Sequence, residues 1–129
     1  MFDKEKYLKK LRESRDYFSG VLERARSLDD EGVPKLRDIR KGMITESEAA
    51  ISLIGDIEKL STSLIPVDFN VEMIHSFRKV AEYALRTTNL EIELASTKAR
   101  RARFFLEAEV ARERMEAEKR QEVRRRRGS

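Results

Sequence analysis

Apolar positions along the chain recur at alternating spacings of three and four residues, broken in two places, and this pattern divides the sequence into three helices. In the first, Tyr7, Leu11, Ser14, Phe18, Val21, Ala25 and Leu28 form one stripe, the spacing of a bundle or coiled-coil seam. Asp3 stands where an N-cap is needed. Gly20 falls inside the stripe; glycine costs a helix roughly 1 kcal/mol against alanine, so its presence predicts a close helix approach. The run Asp29-Asp30-Glu31-Gly32-Val33-Pro34 then reads as a turn, with glycine ending one helix and proline opening the next.

The second helix, from Pro34 to Leu64, carries the cleanest register: Leu36, Ile39, Met43, Glu46, Ala50, Leu53, Ile57, Leu60 and Leu64. Gly42 and Gly55 weaken it locally without ending it. Ile65-Pro66-Val67-Asp68 stops it, since a residue before proline is pushed out of the helical region. Asp68 or Asn70 can cap the third helix. From Asp68 to Arg127 no glycine or proline intervenes, so this helix reads as unbroken, on the order of 88 Å long. Asn70, Ile74, Phe77, Ala81, Ala84, Thr88, Glu91, Ala95, Ala99, Ala102, Leu106 and Glu109 share one face of it.

The expected architecture is therefore all-α: an antiparallel three-helix bundle with a long, projecting C-terminal helix. Residues 1–97 form the bundle core and residues 98–127 a basic extension. The second helix is the shorter partner and runs out near residue 100, which leaves Phe104, Phe105, Leu106 and Val110 without an intrachain surface. Exposed apolar residues of this kind mark a partner site, with a second copy of the chain or another protein as the partner.

Composition sharpens this picture. Charged residues make up 40% of the chain, a level that disorder also reaches, but the regular apolar spacing and 40% hydrophobic content select amphipathic helices. The absence of cysteine removes disulfides, thiol catalysis and thiolate metal sites, and fits a cytoplasmic or intravirion setting. No apolar run is long enough to span a membrane and no signal-peptide core is visible. Gly128-Ser129 reads as a cloning remnant. The net charge of +4 is unevenly distributed: residues 96–129 hold twelve Lys and Arg against six Glu, and the remainder is −2. Such a basic end suits an anionic partner.

The order of elements resembles one half of the PhoU-like phosphate-transport regulators. The residues that carry the resemblance are the Met-Phe start, the Leu-Ile-Pro-Val-Asp corner at 64–68, and Met73-Ile74-His75-Ser76-Phe77 leading into the long helix. It covers roughly residues 2–95 and implies a three-helix unit with a regulatory role, completed by a second copy of the chain. The family's acidic metal motifs transfer poorly. Glu46 looks like the first Glu of one motif, but Ala50 stands where its Asp would be; Glu82 falls near the second, with Tyr83 and Arg86 where acids would stand.

Glu46 and Glu91 are the weak metal candidates, oxygen ligands suited to Mg²⁺ or Fe. The favoured reading of Glu46 is a seam carboxylate paired with an arginine or hydroxyl of a neighbouring helix. His75, the sole histidine, faces away from the apolar stripe. With no Gly-rich loop, nucleophile elbow or zinc spacing, enzyme activity is not expected, and no cofactor is. The alternative to a regulatory bundle is a nucleic-acid-coating or packaging protein. It would contact phosphates through Lys98, Arg100, Arg101, Arg103, Arg112, Arg114, Lys119, Arg120, Arg124, Arg125, Arg126 and Arg127.

Overall fold

The computed structural model describes residues 4–61 and 69–128, and the side chains of 5–61 and 74–128 within them. Three helices run in order: α1 (Lys4–Ser27), α2 (Pro34–Ser61) and α3 (Phe69–Gly128), with no strand among the described residues. The protein is all-α. Asp3, Leu64, Asp68 and the proline corner lie outside the described residues, as does the side chain of Asn70. Helix α3 passes through Ser96-Thr97 without a break. The chain divides into two compact units, Met1–Leu94 and Ala95–Ser129.

The first unit is an up-down-up bundle. Antiparallel packing of α1 on α2 is fixed by Arg15 with Glu58 and Arg26 with Glu48. Lys35 with Glu93 and Arg86 with Glu46 do the same for α2 and α3. Helices α1 and α3 are parallel: Tyr7 meets Phe77 edge-on at 4.4 Å between ring centroids, and the Tyr17 hydroxyl reaches Thr87 Oγ1 at 3.1 Å. Both contacts join residues 70 apart in sequence, so position i of α1 lies level with i + 70 of α3.

The stripe expected on α1 is the stripe that is buried, with Tyr7, Leu11, Phe18, Val21 and Ala25 inside and Ser14 and Leu28 half-buried. On α2 the register slips. The buried residues are Leu36, Ile39, Met43, Ser47, Ala50, Ile54, Ile57 and Ser61, so Ser47, Ile54 and Ser61 replace the expected Glu46, Leu53 and Leu60. The cause is geometric: an α-helix of 3.6 residues per turn drifts against a strict 3.5 repeat, and one extra step of four, from Met43 to Ser47, absorbs the drift.

On α3 the covered face is rotated from the expected one, sharing with it the half-buried Ala84. Within the first unit Ser76, Val80 and Thr87 are buried and Tyr83, Ala84, Leu90 and Leu94 half-buried, while Ile74, Ala81, Leu85, Thr88 and Ile92 are exposed. The one buried threonine of this face within the first unit has its hydroxyl satisfied. Thr87 Oγ1 donates back to the carbonyls of Tyr83 and Ala84 at 3.0 Å and accepts from Tyr17.

Gly20 does not mark a close approach; a Cβ there would meet only the tip of Arg24. Gly42 does, since a Cβ would lie 3.2 Å from Leu90 Cδ1. Gly32 serves a turn rather than ending α1, which stops at Ser27. Glu31 and Gly32 both have positive φ, 51° and 73°, and Val33 N–H donates to the Asp30 carbonyl at 2.8 Å, the form of a type I′ turn.

Candidate interaction surfaces

Two apolar surfaces, one in each unit, are left exposed. In the second unit Thr97 is buried and Arg101 half-buried, whereas every residue from 102 to 128 is exposed. Phe104, Phe105, Leu106 and Val110 are among them, as are Met115 and Val123. Phe104, Phe105 and Leu106 are consecutive, so their side chains splay by roughly 100° each around the helix and no single narrow stripe contains them. The two rings meet edge-on at 5.9 Å, and the Arg101 guanidinium lies 5.3 Å above the Phe105 ring. These contacts hold the aromatic side chains in place while leaving them accessible.

The charges of this unit fall into two groups. Between Leu106 and Arg127 acids and bases pair along the helix: Glu109 with Arg112, Glu116 with Arg120 at 3.9 Å and Glu122 with Arg126 at 2.9 Å. Such exposed pairs each contribute about 0.3–0.5 kcal/mol. Outside them, Lys98, Arg100, Arg103, Arg124, Arg125 and Arg127 form no ion pair among the described residues, although Arg100 donates to Ser96 Oγ at 3.3 Å. Arg114 and Lys119 are exposed on the same helix.

In the first unit a groove of about 470 Å³ runs between α1 and α3, lined by Lys10, Glu13, Phe77, Val80, Ala81 and Ala84 among others. Ile74 and Leu85 flank it, 59% and 62% exposed. Burial pushes the hydroxyl of Tyr7, whose ring packs on Phe77, above the ordinary phenol range.

The acidic candidates are tied to arginines. Glu91 accepts from Arg24 at 2.5 Å and Glu46 from Arg86 at 3.5 Å, each across a helix pair. No group of three or more potential ligand side chains is gathered among the described residues. His75 is exposed. Sequence reasoning missed Arg40, which caps the C-terminal end of α1 by donating from Nε to the Ala25 carbonyl at 3.0 Å and from Nη2 to that of Arg26 at 3.3 Å. Its signal lies only in the fold, since Arg40 stands 14 residues beyond the carbonyl it reaches.

Asp30 organises the turn before α2. Its carboxyl is held below the usual carboxylate range, chiefly by the Gly32 N–H it accepts; burial opposes this, and Arg37 adds to the lowering. No helix among the described residues is long and apolar enough to cross a membrane. These features define an all-α helical bundle with exposed apolar surfaces. Comparison with known proteins returns no matching family model, curated protein or solved structure.

Proposed function

We propose that this protein is a non-enzymatic helical-bundle adaptor or regulator that oligomerises through residues 98–127. The observation that carries the reading is the exposure of Phe104, Phe105, Leu106 and Val110 on a stretch with no covered residue from 102 onward. Most helical stability in proteins comes from packing an apolar face, so a helix that leaves such residues bare gains by acquiring a partner. The regulatory part of the reading rests on the PhoU-like order of elements in residues 2–95, and its expected setting is cytoplasmic. Light scattering across a dilution series tests it. The full chain should form a defined assembly, and Leu106→Glu with Val110→Glu should reduce its mass while leaving far-UV helicity of the first unit intact. A full chain that stays monomeric at high concentration would sink the proposal.

A second reading has its own support. The unpaired cations Lys98, Arg100, Arg103, Arg124, Arg125 and Arg127 are free to meet phosphates, in a packaging or coating role within a nucleoid or virion. A salt titration of duplex DNA binding separates the two. Binding that weakens steeply with salt and is lost on Arg100→Glu with Arg103→Glu would favour this second role.

A further inference from the structure

We propose that the α1/α3 face of the first unit is a self-association surface that binds a second copy of the chain. The two copies are related by a two-fold axis crossing α1 between Leu11 and Arg12 and α3 at Ala81. This surface lies wholly within the first unit and does not depend on residues 98–127.

Two patterns on different helices place the axis independently. On α1 the two exposed charges that line the groove are of opposite sign: Lys10 precedes the midpoint and Glu13 comes after it. Turning a second copy over about the midpoint of Lys10 and Glu13 brings Lys10 of each copy opposite Glu13 of the other. The parallel arrangement would set like charges face to face, which costs affinity.

On α3 the exposed residues form a seam symmetric in sequence about Ala81. Phe77 and Leu85 stand four residues to either side, and Ile74 and Thr88 seven. Large residues thus flank a small centre, so antiparallel copies can approach closely at Ala81 while Phe77 of one packs against Leu85 of the other. The 70-residue offset between α1 and α3 puts the α1 midpoint level with residues 81 and 82. A single axis therefore satisfies the charge pattern of α1 and the apolar pattern of α3. A partner of unrelated sequence would have no reason to match both.

The chain contains no cysteine, which makes Ala81→Cys a clean probe in the full-length protein. Under mild oxidation it should give a disulfide-linked dimer much faster than Ser52→Cys, an exposed control on α2, and should do so equally in the Leu106→Glu background. Lys10→Glu should weaken this dimer by roughly ten-fold, as expected for reversing charge pairs that face each other. Lys10→Glu combined with Glu13→Lys should restore it, because the exchanged charges again oppose. Far-UV circular dichroism confirms that each variant is folded. Crosslinking at residue 81 no faster than at 52, crosslinking that vanishes with Leu106→Glu, or failure of the double exchange to restore association would each overturn the proposal.

Discussion

Residues 69–94 and 95–128 belong to one α-helix, yet they are held by different physics. The earlier stretch lays Val80, Tyr83, Thr87, Leu90 and Leu94 against α1 and α2, and its charges reach across helices, as Arg24 to Glu91 and Lys35 to Glu93. The later stretch is exposed throughout from residue 102, and the ion pairs within it, such as Glu116 with Arg120, link neighbouring turns of the same helix. Pairs of that kind support an isolated helix only weakly. Apolar spacing shows where a helix is able to pack, and the burial pattern shows which of those places the chain itself fills.

The sharpest way to break the comparison is to truncate one apolar side chain in each unit. Phe18 is fully buried between α1, α2 and α3, and Phe18→Ala should destabilise the first unit by about 3–5 kcal/mol. Leu106 is 65% exposed, and Leu106→Ala should shift unfolding of the first unit by no more than about 0.5 kcal/mol. Denaturant titration followed by circular dichroism measures both. Comparable losses would mean that any pairing through Leu106 and the folding of the first unit are coupled rather than separate.

A finer test stays inside the first unit and compares two glycines of α2. Gly55 has open space where a Cβ would go, so Gly55→Ala should stabilise by up to about 1 kcal/mol through helix propensity alone. Gly42 sits 3.2 Å from Leu90 Cδ1 by the same construction, so Gly42→Ala must push that side chain aside and should recover little or none of this gain. Equal gains at both sites would show that α2 and α3 are not closely packed at Leu90.

These residues also explain how far the chain was legible. The α1 stripe was readable because apolar side chains dominate it, Tyr7, Leu11, Phe18, Val21 and Ala25 all being buried. On α2 the single extra step at Ser47 was invisible to a strict three-four reading, since a serine resembles a surface residue and Glu46 completes the repeat. On α3 the expected face lies about one position round the helix from the covered one, which carries Val80, Tyr83, Leu90 and Leu94 together with Thr87, whose hydroxyl bonds with that of Tyr17. Propensity and hydropathy count atoms, and a hydroxyl that returns its proton to the preceding turn behaves as apolar once buried. The cluster at residues 104–106 was expected to stand without an intrachain surface, and all three residues are exposed. The charge polarity of α1 became meaningful only when its level relative to α3 was known.

The smallest expected effect lies in the turn that joins α1 to α2, a constraint the first unit needs and the second lacks. Asp30 accepts from Gly32 N–H and from Arg37 Nε, at 2.9 and 3.4 Å, and supports two consecutive residues of positive φ. Its carboxyl titrates below the usual range in the folded state, chiefly because the Gly32 N–H stabilises the charged form. A depressed carboxylate stabilises the fold above its unfolded pKa of about 3.9, and that contribution disappears as pH falls through the lower folded value. Asp30→Ala should therefore lower the thermal midpoint of the first unit modestly at pH 7 and leave the helical signal of residues 95–128 unchanged. From about pH 4 downward the two proteins should draw together, most closely once the pH is below the folded value. A gap between them that stays constant down to pH 2 would assign the effect to turn conformation alone, with no share for the charge on Asp30.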